Sequence, residues 1–201
     1  SGVPAPGDLK FEDLNDDGII DDNDRTMIGH ALPNLIYSLS ASLEYKGLDF
    51  SFQFAGMHDY DIYNQERAQL SSFNSQDLDH NKLLDWAENR YTADNPSTEY
   101  VRADLNNENV NDRISTWWME DGSFLRLRDV QLGYSLPESL MSPLNMSNLR
   151  IYASMANGLL FTKYTGRDPE NAAFSSAMGS GTDGGGYPNP RTFTFGIQVD
   201  F

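Results

Sequence analysis

Cysteine is absent from the 201 residues of the chain. Its absence excludes a disulfide framework, a thiolate metal site and a cysteine nucleophile. It does not identify the redox compartment in which the protein folds.

Basic residues are scarce. Lysine and arginine together number 14 against 30 aspartates and glutamates, which gives a formal net charge of -16 and an isoelectric point near 4.3. Proteins that bind nucleic acid backbones gain affinity by clustering lysine and arginine against the phosphates. The composition therefore argues against a phosphate-binding surface, and we expect no nucleic-acid partner.

Long apolar runs are also missing. No stretch approaches the roughly 18 consecutive apolar residues of a transmembrane helix, and the mean hydropathy is -0.54. A membrane β-barrel is not excluded, because its strands alternate apolar and polar residues and barely register on hydropathy. The chain begins at Ser1 without an initiator methionine or a signal-peptide pattern. We therefore expect it to be processed or to be part of a longer protein.

The acidic residues that are present lie in two segments. Residues 8–24 hold eight acidic residues and one lysine, a net charge of -7, and residues 59–122 hold 14 acidic and five basic residues, a net charge of -9. The remainder carries eight residues of each sign and sums to zero. The charge is therefore not that of a uniformly solvated acidic surface.

Two neighbouring segments alternate apolar and polar residues with a period of two. Between residues 35 and 45 the odd positions are apolar, and after Lys46-Gly47 the even positions from Leu48 to Phe54 are apolar. Residues that flank a two-residue hairpin loop face the same side of a sheet, so Tyr45 and Leu48 keep one register. The pattern predicts strands at about 35–45 and 48–58, each as long as a membrane-spanning barrel strand.

Three further strands are predicted at about 123–136, 148–158 and 191–201. In the first, the apolar residues change parity, and a bulge near Arg128-Asp129 would reconcile the two halves. The last strand places five apolar side chains on one face: Phe193, Phe195, Ile197, Val199 and Phe201.

Alternation of this kind suits either an antiparallel membrane barrel or a water-soluble β-sandwich. Aromatic residues at the strand ends and a final strand that runs to Phe201 favour the barrel. The connections also alternate between short and long, as in outer-membrane barrels, whose long loops face outward. This interpretation places the long loops 59–122 and 165–190, together with the acidic N-terminal segment, on the extracellular side.

The first acidic segment contains the spacing of a calcium-binding loop. From Asp13 to Asp24 the chain matches the Asp, Asn and Gly positions of the pattern, with Gly18 at the sharp turn. The alternative is a solvated turn rich in Asp, Asn and Gly. The predicted calcium ligands are Asp13, Asn15, Asp17, the Ile19 carbonyl, Asp21 and Asp24. Aspartate at the last position replaces the usual glutamate and has a shorter reach.

Signals of catalysis are weak. The histidines lack mutual metal spacing and no nucleophile elbow is present, so we expect no enzyme. Spacing at Leu83, Trp86, Ala87 and Tyr91 predicts a short helix inside the long 59–122 loop. The three tryptophans Trp86, Trp117 and Trp118 could either stack on a sugar or pack inside the loops.

Several segments together resemble the SusC/RagA family of TonB-dependent outer-membrane transporters. The resemblance runs in one order through the whole chain, and its most specific parts are 121–130 and 168–191. The other segments are 7–11 with the 13–24 loop and Arg25, 89–92, 95–98, 132–137 and 163–166.

The resemblance implies an all-β fold in which residues 35–201 supply the last five or so strands of a 22-stranded antiparallel transmembrane barrel, preceded by an extracellular loop at 1–34. It implies a role in uptake of oligosaccharides, or of peptides, across the bacterial outer membrane. The implied partners are a SusD-like surface lipoprotein, the TonB complex, the remaining strands with an N-terminal plug, and membrane lipid. It also implies that the last strand closes the barrel and acts as an assembly signal. The residues that contact substrate stay unknown. The alternative is a soluble, calcium-stabilised β-sandwich that binds carbohydrate or a cell-surface partner.

Overall fold

The computed structural model describes residues 4–72, 81–105, 109–141, 143, 146–173 and 180–200. Within them lie eight strands: β1 (Leu35–Tyr45), β2 (Leu48–His58), β3 (Asp61–Asn64), β4 (Met119–Asp121), β5 (Phe124–Ser135), β6 (Asn148–Thr162), β7 (Thr182–Asp183) and β8 (Thr192–Asp200). There are also four short helices: α1 (Gln65–Leu70), α2 (Leu84–Asn89), α3 (Glu138–Met141) and α4 (Pro169–Ala173). Two 3-10 turns cover Asp22–Asp24 and Thr116–Trp118.

Five long strands form one antiparallel sheet in the order β1-β2-β5-β6-β8. The β1-β2 hairpin turns on two residues with positive φ, Lys46 at 49° and Gly47 at 85°. Two positive φ angles are those of a type I′ turn, whose twist matches the flanking strands. The predicted hairpin and its register are confirmed, with Tyr45 opposite Leu48.

One face of this sheet is apolar across all five strands. Opposed pairs such as Leu43 with Phe50, and Ile151 with Ile197, carry the apolar residues from each strand to the next. Most of these side chains are exposed, and Phe195 is 81% exposed. A broad apolar face of this kind is typical of a lipid-facing barrel wall rather than of a sandwich, which would cover it with a second sheet.

The predicted bulge lies in β5. Asp129 pairs with Gln53 and Leu127 pairs with Phe54, so Arg128 has no opposite residue on β2. The register with β6 shifts at the same place, where Asn157 and Gly158 lie opposite Arg128. Because the extra residue reverses the parity, Leu127 and Val130 both lie on the apolar face.

The opposite face is polar and contains an ion pair near the tight hairpin. Arg150 on β6 reaches Asp49 on β2 through two hydrogen bonds of 2.9 and 2.6 Å. These two strands are separated by β5, where Gly133 lies opposite Asp49. A Cβ atom on Gly133 would clash with the ends of both side chains, so glycine leaves the space through which they meet.

The long connections meet at one end of the sheet. The second, smaller sheet has the order β4-β3-β7; β3 follows β2 directly and β4 directly precedes β5. We call the described residues within 4–34, 59–123 and 163–191 the loop layer. Most of the buried apolar side chains lie in it, among them Tyr60, Ile62, Trp86 and Trp118.

The strand bounds differ little from those expected, except that β6 extends to Thr162. The predicted helix within the 59–122 loop exists as α2. No helix of the described residues is long and apolar enough to cross a membrane.

Candidate functional site in the loop layer

Two arginines on β5 hold the 163–191 connection against the sheet. Arg126 and Asp168 form an ion pair of 2.5 Å in which the two side chains are only 3% and 2% exposed. Glu170 lies 3.5 Å from Arg126 and also pairs with Arg128. Asp168 further accepts a hydrogen bond of 3.0 Å from the backbone N–H of Asn189. This network fixes both ends of the connection.

Glu120 on β4 joins three parts of the loop layer. Its carboxylate accepts hydrogen bonds from Asn64 at the end of β3, from Arg67 on α1, and from both the backbone N–H and the hydroxyl of Thr165. Nearby, burial raises the pKa of Tyr164, and its hydrogen bond of 2.6 Å to Asp183 raises it further. The phenol therefore stays protonated and donates to the carboxylate.

The N-terminal segment is docked on the 59–123 part through Asp8. Its buried carboxylate accepts a bond of 2.7 Å from Arg102 and one of 2.8 Å from Asn111. Burial alone would raise the pKa of Asp8, but the bonds to Arg102, Asn111 and the Ala5 N–H outweigh it and lower the pKa. The carboxylate is therefore ionised at neutral pH.

Two clefts open between these anchored segments. The first, about 750 Å³, lies between α1, α2 and residues 163–167, and both acidic and basic side chains line it. The second, about 560 Å³, lies between residues 7–12, 91–101 and 115–117, and its walls are aromatic and hydroxyl-bearing. Both volumes fall within the range of small-molecule sites, roughly 300–1,000 Å³.

The predicted calcium loop is exposed and closed on itself. Asp13 accepts hydrogen bonds from the backbone N–H groups of Asp17 and Gly18, and Asp24 accepts one of 2.8 Å from Leu14. The bonds from the Asp21 and Leu14 N–H groups lower the pKa of Asp24. The loop thus brings its first and last positions together through protein hydrogen bonds.

The other predicted ligands also take part in contacts of the loop. Asn15 and Asp17 hydrogen-bond each other, and Asp21 caps the 3-10 turn that follows it. The side chain of Ile19 is exposed, and its carbonyl lies in the same loop. Within the described residues, no three or more histidine, aspartate or glutamate side chains are grouped to hold a metal ion. The calcium site stays a prediction.

The predicted barrel-closing residues lie together on β8. Phe193, Phe195, Ile197 and Val199 share the apolar face of the sheet. Phe201 lies outside the described residues. Among the described strands β8 pairs only with β6, and β1 only with β2, so each has an edge available for another strand.

Sequence reasoning missed the ion-pair network of Arg126, Arg128, Asp168 and Glu170. Its four residues are separated by about forty positions, and no spacing rule connects them. A signal did exist, because both halves fall in the two segments that carry the most specific part of the family resemblance. The structure shows that these two segments are in contact.

Relatives of known name match the whole chain, although no protein-family model matches it. TonB-dependent receptor P26 of Formosa agariphila is 35% identical over 208 residues, covering 100% of this chain and 20% of that protein. TonB-dependent receptor SusC of Bacteroides thetaiotaomicron is 29% identical over 199 residues, covering 98% of this chain and 18% of that protein. The chain thus spans about one fifth of the length of these relatives.

Solved structures match as well. The RagAB peptide importer in its closed-closed state has a TM-score of 0.67 at 29% identity, covering 85% of this chain and 18% of that chain. Its open-open state gives a TM-score of 0.64 at 28% identity. These relatives are receptors and importers, which confirms the expectation of no enzyme, and the fold is that of strands from a transporter barrel rather than of a β-sandwich. The chain belongs to the SusC/RagA family of TonB-dependent transporters.

Proposed function

We propose that this chain forms part of the wall and the outer loops of a bacterial outer-membrane importer of oligosaccharides or peptides. One observation carries the proposal. The five-stranded sheet has an apolar face suited to lipid, with the acidic, packed loop layer at one end of its strands and the tight β1-β2 turn at the other end. The similar RagAB structures are those of a peptide importer, which supports peptides as one substrate class.

The orientation can be tested by labelling, because the chain contains no cysteine. Asp94→Cys would place a thiol on an exposed residue of the loop layer, and Lys46→Cys would place one in the tight turn. In intact cells that produce the transporter containing this chain, a membrane-impermeant maleimide should label the first variant and not the second. Labelling after lysis is the control for both, and the reverse pattern would refute the orientation.

Import itself is tested by growth and uptake. Deleting the transporter gene should abolish uptake of either an oligosaccharide mixture or a peptide mixture, and the wild-type gene should restore it. Undiminished uptake of both mixtures would contradict the proposed function.

We further propose a SusD-like surface lipoprotein and the TonB complex as partners. The loop layer would face the lipoprotein, and TonB would act through parts of the transporter beyond this chain. Purification of a tagged transporter from outer membranes should recover a stoichiometric lipoprotein. Recovery of the transporter alone under mild detergent conditions would argue against that partner.

We propose that calcium binds the 13–24 loop. The many carboxylates of this loop repel one another, and a divalent cation bound between them would relieve that repulsion. In calorimetric titrations of the purified transporter with calcium chloride, Asp13→Asn should weaken binding at least tenfold. Asp16→Asn is the matched control: it removes the same charge from the same loop at a position that is not a predicted ligand, and it should bind nearly as tightly as wild type. Equal losses in both variants, or no binding in any, would refute the site.

We also propose that β8 closes the barrel by pairing its second edge with a strand outside this chain, while its apolar side chains face lipid. Among the described strands that edge has no partner, which supports the proposal because an open edge in a membrane leaves backbone groups without partners. Removing Phe201 should lower the level of the transporter in the outer membrane. Unchanged levels would show that this residue has no role in assembly.

A further inference from the structure

The ring of His30 lies between two aspartates of a neighbouring segment. Its Nδ1 atom is 3.3 Å from Oδ2 of Asp61, and its Nε2 atom is 3.5 Å from Oδ1 of Asp59 and 3.0 Å from the Asp59 carbonyl oxygen. Each of these oxygens is a hydrogen-bond acceptor when the aspartates are ionised. The ring therefore meets acceptors on both of its nitrogen atoms. We call the contacts of His30 with Asp59 and Asp61 the His30 clamp.

The protonation state of the ring decides how many of these contacts are favourable. A neutral imidazole carries one N–H, so only one nitrogen can donate and the other presents a lone pair. If Nε2 donates to Asp59, the lone pair of Nδ1 faces the Asp61 carboxylate and the two repel each other. When Nδ1 takes a proton from water, the imidazolium donates on both sides and places a positive charge between two negative ones. The geometry therefore suits the charged ring better than the neutral one.

The backbone around His30 gives the clamp a structural consequence. The His30 N–H donates to Oδ2 of Asp61 at 3.0 Å, and the Asp61 N–H donates to the His30 carbonyl at 2.8 Å. The Asn34 N–H donates to the Asp59 carbonyl at 3.1 Å. These bonds attach the end of the N-terminal segment to the chain that joins β2 to β3. The clamp therefore adds charge-dependent contacts to the place where the segment is docked.

Other charged groups lie around the clamp, on β2, β4 and the 163–191 connection. Asp121 on β4 is the partner of Asp61, so both side chains lie on the same face of the small sheet. Burial raises the pKa of Asp121, but its hydrogen bonds from Ser123 and the positive charges of His58 and Lys163 outweigh burial and lower the pKa. Asp121 therefore stays ionised over the range of about pH 5 to 8 in which histidine changes charge. Its negative charge favours a protonated ring beside Asp61.

The N-terminal segment has a second anchor that does not respond to the same pH range. The pKa of Asp8 is lowered, so its carboxylate stays bound to Arg102 throughout that range. Residues 7–12, next to this anchor, form one wall of the second cleft. A change between about pH 5 and 8 therefore acts on the His30 end of the segment and not on the Asp8 end.

We propose that His30 is a proton-operated clamp, which holds the end of the N-terminal segment on the loop layer more firmly at mildly acidic than at alkaline pH. The side chains of His30, Asp59 and Asp61 are 44%, 55% and 33% exposed, so solvent screens their charges. We therefore expect a modest effect, about two- to fivefold in the opening equilibrium. The clamp is built from this chain alone and does not depend on what the transporter imports.

Hydrogen exchange of the detergent-purified transporter at about pH 5.5 and about pH 8.5 tests the clamp. Each rate is divided by the intrinsic rate of an unprotected amide at the same pH. The N–H groups of Asn34 and Asp61 report on the clamp, and the Arg102 N–H, which donates to the Gly7 carbonyl at 2.9 Å, reports on the Asp8 anchor. In wild type, protection of the two clamp amides should be about two- to fivefold higher at the lower pH. Protection of the Arg102 amide should not change.

Three variants separate the clamp from other causes. His30→Gln removes the ring that takes the proton and should abolish the pH dependence of the clamp amides. Asp61→Asn keeps an oxygen for the His30 N–H but removes the charge, so it should reduce the pH dependence although the ring is present. His58→Gln is the matched control, because it removes a histidine that lies near Asp121 and outside the clamp. It should keep the pH dependence of wild type.

Several results would overturn the proposal. They are equal wild-type protection at both pH values, higher protection at the alkaline pH, pH dependence that survives in His30→Gln, and pH dependence that is lost in His58→Gln. If His30→Gln only loosens the segment, Asp61→Asn still decides, since undiminished pH dependence in that variant also overturns the clamp. Import plays no part in this measurement, so its outcome is separate from that of the uptake experiment.

Discussion

The buried pair of Arg126 and Asp168 allows a sharp test of what anchors the loop layer. Asp168→Asn removes the negative charge and keeps the size of the side chain. The pair is almost fully enclosed, at 3% and 2% exposure. Removing one partner of a buried pair costs about 3–5 kcal/mol, because the remaining charge is left uncompensated. Glu170 lies 3.5 Å from Arg126 and supplies some compensation, so we expect about 3 kcal/mol.

A second pair of equal length provides the control. Arg167 and Glu66 also approach to 2.5 Å, but these side chains are 53% and 20% exposed. Solvent-exposed pairs contribute about 0–1 kcal/mol. Glu66→Gln should therefore have less than about a third of the effect of Asp168→Asn. Equal distance with unequal burial isolates desolvation as the cause.

Hydrogen exchange of the purified transporter measures the difference. The Gly181 N–H donates to the Ala172 carbonyl at 3.0 Å, and the Tyr63 N–H donates to the Gly181 carbonyl at 2.7 Å. Both bonds report on local opening of the 163–191 connection. A loss of 3 kcal/mol corresponds to about a hundredfold faster exchange in Asp168→Asn. Wild-type exchange in that variant, or equal acceleration in both variants, would refute the reasoning.

Two more predictions concern other contacts. Gly133→Ala should push Asp49 and Arg150 apart, since the new methyl group would clash with the ends of both side chains, and should lower the midpoint of denaturant unfolding of the detergent-solubilised transporter slightly; an unchanged midpoint would show that the two side chains move apart without loss of stability. The lowered pKa of Asp8 means that its stabilisation is complete above the unfolded value of 3.8 and is lost as the pH falls through the folded value. Proteolysis within the N-terminal segment should therefore accelerate below about pH 3.8 in wild type, whereas Asp8→Asn should be cleaved fast at neutral pH and show little of this pH dependence; parallel pH profiles would contradict the role of Asp8.

The long strands could be predicted because the sheet has one apolar and one polar face, and each strand shows that alternation in its own sequence. Every second residue lies on the apolar face of the sheet, so alternation alone locates β1, β2 and β8, and the parity change in β5 locates the bulge at Arg128. The end of β6 at Thr162 was missed because Asn157, which has a positive φ of 53°, and Gly158 look like the end of a strand. The residues that follow, Leu159-Leu160-Phe161, are all apolar, so period-two reasoning fails there although they stay paired with β5.

The small sheet could not be predicted for a different reason. Strands β3, β4 and β7 have four, three and two residues, too few to show a period. Their pairing joins segments more than fifty residues apart, as in Tyr63 with Thr182. Likewise, Trp117 and Trp118 are neighbours of the same residue type, so the sequence does not distinguish them. The packing of the 3-10 turn buries Trp118 in the core and leaves Trp117 at the cleft.

Most of the arginines of the chain contact a carboxylate or an aromatic ring of another residue. Arginine at 67, 102, 126, 128, 150 and 167 each pairs with a carboxylate that another part of the chain supplies. Arg90 and Arg113 instead lie over the aromatic rings of Trp86 and Phe11. The planar guanidinium can bond and stack in ways that a lysine ammonium cannot, so arginine-to-lysine exchange at these positions is not conservative. Most of the arginines are thus committed to contacts within the chain. The 13–24 loop carries part of the acidic excess of the chain with only Arg25 beside it, on Asp22, and this imbalance is the physical reason to expect a cation there.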